Sequence, residues 1–271
     1  MKKLILFALA MALCCAGFAQ ANGKAVKGSA AERVERCIPP DGVPNKDLVH
    51  KGYICGYNQM TRMPNYVSYV LSKKEARAYD PERKVGYRFG NDPLYNGPRA
   101  MASDYSQEQR YVPAQLAPVE DMMWDETALQ EVFYMTNIAP MHKAIYDGLW
   151  YELEQKCRWW AKKYGDLYIA TGPTNITGRK LPIQGSDIVA PDAYFKVLLQ
   201  RRGDRWACVV FLFPNTMTAN PELSGYMFSL ASFLSIYPID VFAGLDIDVS
   251  ADPSVWTSYK ESDWVIPDWK N

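Results

Sequence analysis

Tyr146, Trp150, Glu154 and Arg158 are spaced four residues apart, so any helix that holds them carries all four on one face. Such a face offers an acid at Glu154 and a phosphate-binding guanidinium at Arg158. The same spacing also makes an ordinary (i, i+4) ion pair. Upstream lies Tyr111-Val112-Pro113-Ala114-Gln115-Leu116-Ala117-Pro118, followed by Asp121-Met122. The Gln115 carboxamide takes no proton near neutral pH, so it can orient a water but cannot act as a general base. The chain has only two histidines. His50 precedes the first strand and is expected at the surface. His142, one turn before Tyr146, is the candidate for a relocated base. Asp121 is expected to make a structural hydrogen bond. Asp147 could contact a cation, although a regular helix turns it about 100° away from Tyr146.

The elements that would position these groups can be read from periodicity. Residues 142–164 are predicted as one long helix, because Leu149, Trp150, Leu153, Cys157, Trp160 and Ala161 form an apolar face. A short helix is predicted over 125–130 and a strand over 132–136. Alternation in Tyr53–Tyr57 and Tyr66–Leu71, with a turn over 58–64, predicts a hairpin-like pair of strands. Leu167–Thr171, Tyr194–Leu199 and Trp206–Phe213 read as further strands, ended by Gly172-Pro173 and Pro214-Asn215.

These blocks, in this order, resemble the core of the DNA/RNA non-specific endonuclease family. They are Ser103-Asp104-Tyr105, the Gln115 segment with Asp121-Met122, Phe133-Tyr134-Met135-Thr136-Asn137-Ile138-Ala139-Pro140, and the helix with Trp150, Glu154 and Arg158. The later blocks Thr-Gly-Pro, Val-x-Pro, Phe-Lys-Val and Phe-x-x-Pro-Asn also recur, so the resemblance spans roughly residues 50 to 245. It implies an α+β fold, with a central, mostly antiparallel sheet flanked by helices. It also implies a ββα-metal (His-Me finger) nuclease-like core from about Asp104 to Tyr164. In that family a His is the base, an Asn holds magnesium, a Glu fixes metal-bound water and an Arg helps hold the phosphate. The resemblance puts Gln115 at the catalytic His position and Tyr146 at the metal-binding Asn position. Glu154 and Arg158 keep the positions of the acid and the arginine, with Arg158 as the implied nucleic-acid contact. The Asp-Arg-Gly that usually precedes the His is Val112-Pro113-Ala114 here. Magnesium favours hard, oxygen-rich ligands, and a neutral phenol is a poor one.

Lys2 and Lys3, the apolar run Leu4–Phe18 and the small residues of Ala19-Gln20-Ala21 predict a signal peptide over residues 1–21 and a periplasmic or secreted protein of bacterial type. Residues 22–49 are expected to form a mobile leader, of which 22–36 are small, polar and charged. Residues 50–250 are expected to form the endonuclease-like domain, and 251–271 an acidic, Trp-rich tail. No later segment is apolar enough to span a bilayer. Without Lys2 and Lys3 the chain has 28 basic and 30 acidic residues, a formal charge of −2, so the total carries no basic excess for a polyanion, although it leaves room for a local basic patch. In an oxidising compartment Cys37 would pair with Cys55. Cys157 and Cys208 would either pair or remain buried thiols. CxxC spacing, a P-loop, G-x-S-x-G and G-x-G-x-x-G are all absent. Some of the eight Trp and eighteen Tyr could stack on single-stranded nucleic acid, although Trp159-Trp160 reads more readily as core or interface.

Three functional readings follow. The first is an exported family member whose degenerate site has lost most or all magnesium-dependent cleavage of DNA and RNA but keeps nucleic-acid contact. The second is a non-catalytic protein-interaction module. The third is an active nuclease using His142.

Overall fold

Side-chain alternation along two long strands separates the protein into two cores. In β9 (Ala193–Arg202), Tyr194 and Leu198 face one side, while Ala193, Phe195, Val197 and Leu199 face the other. In β10 (Arg205–Pro214), Val209, Phe211 and Phe213 oppose Cys208, Val210 and Leu212 in the same way. Both faces are covered, so these strands read as continuous apolar runs. The computed structural model describes residues 33–175, 177–216, 222–245 and Trp264.

Seven strands form the main sheet in the order β1-β2-β3-β6-β9-β10-β11, with every neighbouring pair antiparallel. The other five are β1 (Lys46–Val49), β2 (Ile54–Asn58), β3 (Met63–Leu71), β6 (Leu167–Thr174) and β11 (Met227–Phe228). A separate ribbon pairs β4 (Tyr111–Gln115) with β5 (Ile138–His142) and leads into α4 (Tyr151–Tyr164), which packs on the first face of the sheet. Together they form the expected ββα unit. Helix α1 (Lys73–Arg77) packs on α4, and a second small ribbon pairs β7 (Leu181–Pro182) with β8 (Val189–Ala190). Asn215 locks the ribbon to the sheet. Its Nδ2 donates to the carbonyls of Pro140 and Pro191, and its Oδ1 accepts from the His142 amide.

Several expectations need correction. The long helix is interrupted. His142 ends β5, and its Nδ1 accepts the Ala144 amide to cap α3 (Lys143–Ile145). A π-type turn over Tyr146–Trp150 then carries Gly148 at φ −109°, ψ −109°, well off helical geometry, before α4 begins. The strand expected over 132–136 is instead the turn that follows α2 (Glu126–Glu131), a single bridge from Tyr134 to Gly90 and the start of a 3-10 turn, Met135–Asn137. Asn137 fixes that turn, donating to the carbonyls of Ala117 and Val132 and accepting the Ala117 amide.

His50 is not at the surface. It is 2% exposed, with Nε2 3.1 Å from Asp92 Oδ2 and its ring 4.4 Å from that of Tyr53. The leader expectation fails from residue 33 onward. Arg33 donates to the His50 carbonyl, Arg36 pairs with Asp47, Ile38 bridges to Asp240, and β1 edges the sheet. Residues 1–32 lie outside the described residues, so the signal peptide does too. The 251–271 tail also lies outside them, apart from Trp264, whose buried ring meets Trp160 edge-on at 4.9 Å.

The expected Cys37–Cys55 disulfide is absent, and of the two alternatives for Cys157 and Cys208 the structure has buried thiols. Cys37, Cys55, Cys157 and Cys208 are free and buried, because the sheet itself separates each pair. Cys55 and Cys157 lie in the core under α4, whereas Cys37 and Cys208 lie in the core on the opposite face. Burial pushes the thiols of Cys37 and Cys208 up to about 12, which suppresses the reactive thiolate. The expected outcome for a folded chain lacking residues 1–21 is no reaction with Ellman's reagent, and four thiols titrated in guanidinium without reductant. Fewer than four thiols in the denatured protein would contradict this arrangement.

Candidate active site

The family frame does converge on one cleft, of about 310 Å³. Gln115 comes from the end of β4, Glu120 from the turn after it, Tyr146 and Asp147 from the π-type turn, and Tyr151 and Glu154 from the first turn of α4. The Gln115 side chain is 8% exposed and donates from Nε2 to the Val132 carbonyl at 3.0 Å. That carbonyl also accepts from Asn137 Nδ2 at 2.9 Å, so the amide orientation is held by the turn that replaced the expected strand. Tyr146 lies in the cleft, and its phenol is pushed above its ordinary pKa by burial and by Glu154, Glu120 and Asp147. It is therefore neutral across the physiological range. Asp147 lines the same cleft instead of pointing 100° away, because the π-type turn breaks the regular helical lattice. It forms an exposed ion pair with Lys143 at 2.5 Å.

Glu154 is the most perturbed of these groups. It is 5% exposed, and its Oε1 has no hydrogen-bond partner. Burial pushes its carboxyl up to about 8; Lys196 and Arg158 pull it down, and Glu120 and Asp121 push it further up. Glu154 is thus mainly a neutral acid at pH 7.

Arg158 does not line the cleft. It is 2% exposed and pairs through Nη1 with Asp121 Oδ1 at 2.9 Å, and its guanidinium lies 4.9 Å from the centre of the Tyr79 ring. Asp121 Oδ2 in turn accepts the Tyr69 hydroxyl at 2.7 Å. The partner of Arg158 is therefore 37 residues away in sequence rather than Glu154 one turn back. The structural hydrogen bond expected of Asp121 is present.

His142 lies opposite Tyr111 in the ribbon, whereas Gln115 lies opposite Ile138. Four residues of extended chain separate the two positions by about 13 Å. His142 lines a different cleft, of about 250 Å³, with Arg110, Arg179 and Asn215. Burial and Arg110 lower its pKa from the ordinary histidine value.

Sequence reasoning missed Glu120, Tyr151 and Lys196. Lys196 is fully buried on β9, with Nζ 4.4 Å from the centre of the Trp150 ring. A lysine inside the apolar run Tyr194–Leu199 was the available signal for a charge facing α4.

The donor set does not fit the magnesium site that the resemblance implies. The phenol at the Asn position is neutral, the amide at the His position takes no proton from water, and the one helical carboxyl is mainly protonated. Among the described residues no three His, Cys, Asp or Glu side chains gather around a point that could hold a metal.

Comparisons with known proteins place this geometry. The DNA/RNA non-specific endonuclease family profile matches residues 35–248. The chain is similar to Nuclease C1 of Cunninghamella echinulata var. echinulata, 25% identical over 231 residues that cover 78% of this chain and 88% of that one. It is also similar to the mitochondrial Nuclease EXOG of Homo sapiens, 27% identical over 242 residues that cover 83% of this chain but 64% of that one. Among solved structures, a chain of the EndoG/EndoGI complex superposes with a TM-score of 0.66 at 20% identity, covering 76% of this chain and 89% of that chain. With its ββα unit, its sheet and these matches along most of its length, the chain belongs to the DNA/RNA non-specific endonuclease family.

Proposed function

We propose that this protein is an exported member of the family in which phosphodiester hydrolysis is absent or very low, and that the cleft now serves binding. The observation that carries the reading is the Gln115 amide, fixed on the Val132 carbonyl at the position of the family's base. Hydrolysis needs a group that takes a proton from water and a cation that stabilises charge on the phosphate and leaving oxygen. Gln115 supplies no base. Tyr146, Asp147 and a largely neutral Glu154 supply no convergent anionic ligands. The arginine that would hold phosphate is enclosed against Asp121 and Tyr79, and no Lys, Arg or His lines the cleft. Export rests on Lys2, Lys3 and the apolar run that follows them. Among the described residues no helix is long and apolar enough to cross a membrane.

The direct test is incubation of plasmid DNA and of RNA with the purified chain lacking residues 1–21, in magnesium and in manganese. Glu154→Ala serves as the control for contaminating nuclease. The expected outcome is no cleavage above that control. Cleavage that Glu154→Ala abolishes would contradict the proposal and return attention to His142.

Arg158→Ala is expected to act on stability, because it leaves Asp121 buried and unpaired, at a cost of about 3–5 kcal/mol. Urea denaturation measures this, and a variant as stable as the starting protein would contradict the structural role.

Glu154 also sets a pH dependence. Its folded pKa of about 8 lies above the ordinary carboxyl value, so the folded state holds a proton that the unfolded state releases. Its contribution is complete below about pH 4.5 and is lost as pH rises through about 8. Stability should therefore fall across that window, and Glu154→Gln should flatten the decline. An unchanged slope in Glu154→Gln would assign the pH dependence to other groups.

A further inference from the structure

We propose that the cleft around Gln115 receives a guanidinium cation, the side chain of an arginine in a partner peptide, where the family would place a phosphodiester. The inference rests on the non-catalytic reading of this same cleft.

Three carboxyl residues line the cleft, Glu120, Asp147 and Glu154, and no basic residue does. Two tyrosines complete the wall. Tyr151 is 40% exposed and follows directly on the π-type turn that Tyr146 begins. Glu120 and Asp147 supply the negative charge. Glu154, mainly neutral by itself, adds an independent sign of an unmet partner, because its Oε1 is deeply buried with no hydrogen bond and a cation beside it favours its ionised form. The Gln115 Nε2 directs one N–H to Val132, which leaves its carbonyl oxygen available as an acceptor at the cleft. A guanidinium brings five donors and no acceptor, stacks on aromatic faces and binds carboxylates in a fork. A phosphate brings acceptors and negative charge, the wrong complement for this lining.

The chain already shows that the rim attracts a cation, since Lys143 holds Asp147 at 2.5 Å. Both partners of that pair are more than half exposed, and such pairs contribute little, so Asp147 can exchange Lys143 for an incoming group. A divalent metal ion is a poorer occupant, because it needs ligands converging on one point and these carboxyls do not. A planar cation spreads its donors and can meet acceptors set apart. The 310 Å³ volume lies at the small end of ligand sites, which suits one side chain.

The test is isothermal titration of the chain lacking residues 1–21 at low salt. The titrants are N-acetyl-arginine amide, its citrulline counterpart, free arginine, inorganic phosphate and magnesium chloride. The capped arginine should bind, and the neutral citrulline compound should bind at least about ten-fold more weakly. Free arginine should also bind more weakly, because its carboxylate meets Glu120 and Asp147. Equal binding of free arginine would support guanidinium recognition with a small-molecule source. Glu120→Gln should weaken the capped arginine about ten-fold, and Lys143→Ala should tighten it by releasing Asp147. Both positions are solvent-accessible, so neither change should disturb folding. Equal binding of the citrulline compound, no effect of Glu120→Gln, or binding of phosphate in preference to arginine would overturn the proposal. Failure to bind arginine in a chain that also fails to cleave DNA overturns this inference alone. Cleavage abolished by Glu154→Ala overturns the reading beneath it.

Discussion

A charged layer buried between α4 and the sheet constrains the rest of this structure. Asp121 binds both Arg158 and the Tyr69 hydroxyl, so one carboxylate ties the turn after β4 to α4 and to β3. A turn of helix away, Glu154 faces the cleft, and Lys196 from β9 lies against Trp150. Burying charge costs several kcal/mol per ion unless geometry compensates, so α4 has little freedom to slide or rotate over the sheet. That fixed seating places Tyr151 and Glu154 at the cleft. It also makes Arg158 a brace within the layer, out of reach of a ligand.

The same constraint explains what could be read from the sequence. Strands β2, β3, β6, β9 and β10 were legible because alternation and Pro or Gly stops report directly on a sheet that is buried on both faces. Gln115, Tyr146 and Glu154 line one cleft, a juxtaposition that the order and spacing of the family blocks made legible. What failed was long-range or irregular. The apolar periodicity across residues 142–164 is real, but it is silent about a backbone break at Gly148. The break brings Asp147 into the cleft against a regular-helix expectation. A single histidine ahead of a strand looks solvated until Asp92, distant in sequence, is seen to receive it. The cysteine pattern suggested a Cys37–Cys55 bridge, whereas the sheet puts those two residues on opposite faces. Arg158 looked available because its partner Asp121 lies 37 residues away.

The result is a family scaffold whose positioning elements persist around altered chemistry. The ribbon, the Asn137 turn, the Asn215 lock and the α4 brace are all in place. They now present an amide, a neutral phenol and a shielded carboxyl in one cleft, while a histidine and two arginines line another at the far end of the ribbon. Loss of a base and retention of a fold are separable because different residues carry them. Asn137 and Asp121 hold the frame by hydrogen bonds that do not depend on what occupies position 115.

Besides the Gln115 amide, the altered site depends on Glu154 being a neutral acid in the folded protein near pH 7. Difference infrared spectroscopy of the chain lacking residues 1–21 against Glu154→Gln measures this directly. The expected result is a protonated carboxyl C=O band at pH 6.5 that is missing in the variant and fades as pH rises past about 8. No such band, with Glu154 contributing only carboxylate stretches at pH 6.5, would show an ionised side chain free to act at a metal or a phosphate, and would contradict the account.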